Sequence, residues 1–225
     1  MSLTIKRPVN KTSPPQKPAY VSYEAYLQLA GEDRIVEWVD GEIIYHMPAR
    51  DEHQAISGFL YRLIWLFASL FGLGEVRYAP YEVKLWPNGP SREPDVFFVK
   101  QKHLDRLTSR RFVGAPDLVI EIVSQESVRR DRHDKLREYE RAGVTEYWVI
   151  DSRAGRQLAN FYRLQENGEY ELIATEEDDR VDSVVLPGFW LNPAWVWQTD
   201  LPDALALIAQ MSEDAAARLR QRLSL

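Results

Sequence analysis

A chain of 225 residues that is 45% hydrophobic and 28% charged has the composition of an ordinary globular protein, with enough apolar material for one sizeable core. It contains no cysteine, which excludes disulfides and thiolate zinc sites, and its net charge of −6 argues against a broad basic clamp for nucleic acid. No apolar run reaches the roughly 18 residues that a membrane span needs, and the N-terminal stretch lacks the apolar centre of a secretory signal, so the expected location is the cytoplasm.

Residues 1–19 hold four of the 13 prolines and little that could pack, and read as a flexible arm. Ser22 is placed to cap a short helix through Ala30, closed by Gly31. The apolar runs at 34–39 and 42–45 flank Asp40-Gly41, a hairpin signal because both turn positions need positive φ. Asp51 is placed to cap a helix running to Phe71, with Ile56, Phe59, Leu60, Leu63, Ile64, Phe67 and Leu70 at helical spacing and Gly72 and Gly74 as its stop. Three strands are expected next, over 76–86, 95–99 and 117–123, with a charged, partly helical segment over 100–112 between the last two. A second helix over 128–142 ends at Gly143 and leads into a fully buried strand at 146–151. Short strands at 158–164, 170–174 and 183–186 follow. Pro202 opens a last helix over 204–223 with leucines on one stripe. The chain thus divides into the arm, one domain over 20–200 and a C-terminal helix over 201–225. The central order of helix, three strands, helix and strand gives an α/β (α+β) fold, with a parallel pair where a helix joins two strands.

Glu121 stands inside the apolar run Leu118-Val119-Ile120-Glu121-Ile122-Val123. An ionised carboxylate is costly to bury there unless it is paired or holds a metal. Asp95 follows Pro94 at the head of the preceding strand. Adjacent strands lie about 4.8 Å apart, so Asp95 and Glu121 can converge on one cation. Asp117 has the same parity as Glu121 but sits four residues away, roughly 13 Å along a strand, and is expected to cap the strand start or face solvent. A hard cation on two carboxylates leaves positions for water and phosphate oxygens, which suits phosphodiester hydrolysis. Such a site also needs a positive group near the attacking water. Position 123 is the obvious place, but it is a valine. Lys135 on the following helix is the substitute, with Asp131 four residues earlier to orient it; the plainer alternative is a surface ion pair.

Arg106, Arg110 and Arg111 form one basic group, and Arg129, Arg130, Arg132, Arg137 and Arg141 another. They soften the objection from net charge, although a basic run is more simply a solvated face. The tryptophans at 86, 148, 190, 195 and 197 read as core or interface rather than as stacking platforms for bases.

Pro94-Asp95, 25 intervening residues and then Glu121-Ile122-Val123 resemble the PD-(D/E)XK nuclease superfamily. More specifically, Gly114-Ala115-Pro116-Asp117-Leu118-Val119-Ile120-Glu121-Ile122-Val123-Ser124, followed by Asp134-Lys135, Tyr139, Gly143-Val144 and Glu146-Tyr147-Trp148-Val149-Ile150-Asp151, is similar to the Uma-two family of restriction-endonuclease-like proteins. Asp40-Gly41-Glu42 and His53 fit that family's N-terminal pattern. The resemblance covers residues 20–190. It implies a restriction-endonuclease-like mixed β-sheet flanked by helices, with an added N-terminal hairpin and C-terminal helix. It also implies an endonuclease that uses Mg²⁺ or Mn²⁺ and acts on DNA. By the same resemblance Asp95 and Glu121 become metal ligands with the Ile122 carbonyl as a third, Lys135 is the migrated lysine, and Glu42 and His53 join the site. Taken as plain residues, Glu42 is a turn-flanking surface acid and His53 a structural or exposed histidine. Two other readings stay open: a nuclease fold that binds nucleic acid or a partner without cutting, and a metal-dependent phosphoesterase for small substrates. The tail leucines can pack on their own domain or pair two copies, and a homodimer would set two sites against opposite strands of a duplex.

Overall fold

The computed structural model of the chain describes residues 20–29, 36–46, 50–153 and 155–223; the expected arm at 1–19, the close of the first helix at Gly31 and the strand start at Arg34 lie outside them. In chain order the regular elements are α1 (Tyr23–Leu29), β1 (Val36–Val39), β2 (Glu42–Tyr45), α2 (Asp51–Phe71), β3 (Gly74–Tyr78), β4 (Glu82–Lys84), β5 (Ser91–Arg92), β6 (Val96–Lys100), β7 (Arg111–Val113) and β8 (Leu118–Ile122). A π turn, Arg130–Asp134, leads into α3 (Lys135–Ala142), and β9 (Glu146–Asp151), β10 (Leu158–Leu164), β11 (Tyr170–Thr175), β12 (Val181–Asp182), β13 (Trp190–Leu191), α4 (Ala204–Met211) and α5 (Glu213–Leu223) complete the chain.

A six-stranded sheet, ordered β11-β10-β9-β8-β6-β3, is the centre of the molecule. Its β8 and β9 run parallel across the α3 connection, while β6 and β8 are antiparallel, so the sheet is mixed. One face carries Val96, Phe98, Leu118, Ile120, Ile122 and Trp148 and packs on α2 and α4. The opposite face carries Phe97, Val99, Val119, Val123 and Val149 and is covered by Tyr139 of α3 and by Val83 and Phe112 of a second sheet, ordered β2-β1-β5-β4-β7. Burial on both faces explains why β8 and β9 read as unbroken apolar runs rather than alternating ones. The Asp40-Gly41 turn has positive φ at both residues, 48° and 87°, as a two-residue hairpin requires.

Helix α2 is, by length and composition alone, long and apolar enough to cross a membrane. Here its stripe from Ile56 to Leu70 is packed into the core, where each large side chain contributes about 1.5–3 kcal/mol. It ends at Gly72, whose left-handed backbone (φ 63°) suits glycine.

Several expectations are corrected. Asp51 caps nothing; the N-cap residue is Arg50, without a side-chain bond, and Asp51 stands in the first turn, where a carboxylate still favours the helix dipole. The strand expected over 76–86 breaks at Pro80, which has no N–H to donate, and its halves join different sheets. The last helix is two helices, because Ser212 leaves the helical path and its Oγ accepts the Ala215 N–H at 3.1 Å, capping α5. Ile208 and Leu219 of that stripe join the core, while Leu205 and Leu223 remain exposed. Asp117 neither caps its strand nor faces solvent: it is buried and accepts the Lys100 N–H at 2.8 Å, with His103 Nδ1 3.0 Å away. Trp148 is fully buried and packs on Phe161, and Trp190 packs on Trp195.

Candidate active site

The register of β6 on β8 sets Val96 opposite Ile120 and Phe98 opposite Leu118. Continued by one residue, it puts Asp95 opposite Glu121. Alternation keeps both acids on the face of Phe97 and Val119, toward α3. Asp95 is anchored there: its Oδ2 accepts the Ile122 N–H at 2.7 Å and lies 3.2 Å from His53 Nε2. His53 reaches the strand ends from the first turn of α2. Burial works against its imidazolium form, but the Asp95 carboxylate and the Ile122 backbone outweigh that, and its pKa is raised.

Lys135 comes from the other side. Its side chain is 2% exposed, with Nζ 2.8 Å from Glu121 Oε1, 3.1 Å from Glu37 Oε1 and 3.5 Å from Asp131 Oδ1. Desolvation opposes that charge, yet Glu121, Glu37 and Asp131 overcome it and keep the lysine protonated. The surface ion pair considered for Asp131 and Lys135 is therefore excluded, since both side chains are 2% exposed. Tyr139, one turn further along α3, donates its hydroxyl to Glu121 Oε1 at 2.8 Å. Burial pushes the Glu121 carboxyl up to about 8, with Lys135 acting against it and Asp131 and Asp95 adding to it. For Glu37 the balance tips the other way: burial is outweighed by Lys135 and Arg92, and its carboxyl is held well below the usual range.

These groups open on a cavity of about 480 Å³ whose wall includes His53, Glu93, Asp95, Glu121, Ile122, Asp131 and Lys135. The model of a family named Uma2, described as "Putative restriction endonuclease", matches residues 23–194. The chain belongs to the Uma2 family. Among solved structures it is similar to a "putative nuclease belonging to DUF820" from Anabaena variabilis ATCC 29413, at 18% identity and a TM-score of 0.65, over 77% of this chain and 96% of that one. That likeness shows the fold. No curated protein is significantly similar in sequence.

Within this Uma2 fold, Asp95, Glu121, Ile122, Lys135 and His53 meet at one cavity, and Glu42 does not. Glu42 is exposed, pairs with Val39 across the hairpin turn and is absent from the cavity wall. It shares a face with Glu37 but stands at the turn end, about two residues or 7 Å too far along the strand. Glu37 is the hairpin's contribution instead, and it went unread although it carries the same signal as Glu121, an acid inside an apolar run (Val36-Glu37-Trp38-Val39). Glu93, immediately before Pro94, was also missed.

Among the described residues no three His, Asp or Glu side chains form a ready cation cage. The donor chemistry nonetheless fits a hard divalent ion, which takes one or two carboxylates and completes its shell with water and phosphate oxygens. Charge balance points the same way. Six carboxylates, Glu52, Glu93, Asp95, Glu121, Glu126 and Asp131, line the cavity, and Glu93 Oε2 and Asp131 Oδ1 are enclosed without a hydrogen-bond partner. Arg50, Arg130, Arg153 and Arg156 stand in the same wall as Lys135, but among the described residues none of these arginines pairs with Glu93, Asp95, Glu121 or Asp131, so protons or a cation would complete the balance around those four.

Proposed function

We propose that this cavity is the active site of a Mg²⁺- or Mn²⁺-dependent endonuclease that hydrolyses phosphodiester bonds of DNA. The observation that carries the reading is the cross-strand pair Asp95 and Glu121 with the Lys135 ammonium 2.8 Å from Glu121. The family's description and the name of the Anabaena protein support the nuclease part. Asp95 and Glu121 would hold the cation, with the Ile122 carbonyl as a further donor. When bound, such a cation supplies an acidified water and a countercharge for the phosphate. Lys135 positions the attacking water and offers a hydrogen bond to the phosphoryl oxygen that gains charge. Tyr139 fixes the Glu121 carboxylate, and the Ile122 N–H and His53 fix Asp95. Glu37 and Asp131 keep Lys135 charged and in place.

The test is nicking of supercoiled plasmid in Mn²⁺, which Asp95→Ala should abolish; equal nicking by the variant refutes the assignment. One observation favours a second reading, a nuclease fold that binds nucleic acid without cutting: Val123 stands at the strand-lysine position, and three carboxylates engage Lys135. Calorimetry separates the two, because absent Mg²⁺ and Mn²⁺ binding, or binding unchanged in Glu121→Gln, selects the second. A two-fold dimer would bring two such sites to opposite strands of a duplex. Sedimentation showing only monomer at working concentrations would remove that arrangement.

A further inference from the structure

The π turn does something specific to the site. The Lys135 N–H donates to the Arg130 carbonyl oxygen, an i→i+5 bond. In an α-helix, residues five apart lie about 140° apart around the axis. The wider π turn brings positions 130 and 135 toward one face, and Arg130, Asp131 and Lys135 all line the cavity as a result. Arg130 is half-buried, and its Nε is enclosed without a hydrogen-bond partner.

An unpaired guanidinium in a cavity walled by six carboxylates is unexpected. Arg92, Arg111, Arg132 and Arg153 each have a carboxylate partner. Arg130 has none among the described residues, nor do Arg50 and Arg156 on the cavity rim. The acids nearest Lys135 are engaged by it and by Tyr139 and Ser127 rather than by these arginines. A bound anion would give this guanidinium a partner. The planar fork of arginine matches the two non-bridging oxygens of a phosphodiester. Glu52 and Glu126, also in the wall, would repel a strand laid across them.

We propose that Arg130, turned onto the face of Lys135 by the π turn, grips a backbone phosphate of the nucleic-acid strand, and that Arg50 and Arg156 continue that contact along the strand. The ligand class rests on the nuclease reading above; the grip itself is tested by binding alone.

The experiment measures anisotropy of a labelled DNA duplex over a salt series in the non-cutting Glu121→Gln background. Arg130→Gln should weaken binding about tenfold and reduce the salt slope by about 0.9, one phosphate contact. Arg130→Lys should keep the slope and lose part of the affinity, because charge remains and the fork is gone. With Glu121 restored, Arg130→Gln should raise KM while kcat changes little. Wild-type affinity and slope in Arg130→Gln overturn the proposal, as does a parent protein that binds no duplex at any salt. Binding that weakens as expected in a protein that never cuts supports the grip and removes only the nuclease chemistry. If Arg130→Gln fails to fold, Arg130→Lys decides: undiminished affinity overturns the proposal.

Discussion

Glu37 Oε1 lies 3.1 Å from Lys135 Nζ, and through this contact the N-terminal hairpin holds the lysine of the central site. The same carboxylate accepts Arg92 Nη1 at 2.8 Å, and Arg92 forks onto Glu138 of α3 with two bonds of 2.7 Å. Strand β1, strand β5 and helix α3 are thereby joined by ions, of which Glu37, Arg92 and Lys135 are buried and Glu138 is partly exposed. Removing one partner from such a network leaves buried charge uncompensated. Glu37→Gln should cost about 3–5 kcal/mol in urea denaturation and lower kcat by letting Lys135 wander. A loss below about 1 kcal/mol would show that the carboxylate contributes no more than a surface pair does.

Lys135→Ala takes away the ammonium shared by Glu37, Glu121 and Asp131. In EDTA the variant should melt well below wild type, since three acids then face one another at a buried point. Mn²⁺ should raise its melting temperature more than it raises that of wild type, because the cation becomes the nearest countercharge. Equal shifts in the two proteins would place the bound cation away from these carboxylates.

Much of this arrangement is legible in the sequence, and the reasons for the exceptions are physical. The runs at β8 and β9 show burial on both faces, and the α3 connection between them dictates a parallel pair. Asp95 and Glu121 could be paired because strand geometry excludes Asp117 by distance, and the register agrees. Lys135 could be placed only as far as its helix. Its actual position depends on the π turn, a backbone feature for which residues 128–142 carry no spacing signal. Glu42 is reached through the family motif, which says nothing of burial, and Glu37 is not singled out at all: both are hairpin acids on one face, and only tertiary packing of the second sheet decides which is inside. Arg92, fully buried, looks like an ordinary charged residue until Glu37 and Glu138 are seen around it.

The exclusion of Glu42 and inclusion of His53 can be checked side by side. Glu42→Gln alters an exposed side chain at a turn, so stability should change by less than about 0.5 kcal/mol and nicking should not change at all. His53→Ala deletes the imidazole 3.2 Å from Asp95 Oδ2 and should reduce nicking and cation affinity together. If Glu42→Gln is the damaging change and His53→Ala the silent one, the hairpin turn reaches the substrate and the cavity described above is not where the chemistry occurs.

Glu93 gives the protein a dependence on pH that runs opposite to ordinary acid denaturation. Burial drives its carboxyl from 4.5 up to about 8, and the charge on Glu37 adds to the shift. The folded state therefore holds this proton more tightly than the unfolded chain does. The stabilisation is complete below pH 4.5 and is lost progressively as pH rises through 8. Within that window one retained proton gives a slope of about 1.4 kcal/mol per pH unit at most. Urea unfolding in EDTA should show wild-type stability falling toward the alkaline end. Glu93→Gln, which keeps a neutral group of the same shape, should make the fall shallower, leaving the share that the likewise raised Glu121 contributes, and be the more stable protein at pH 8. A wild-type profile that is level across the window, or a Gln variant that follows the same slope, means that Glu93 is ionised in the fold and that another cation already balances it.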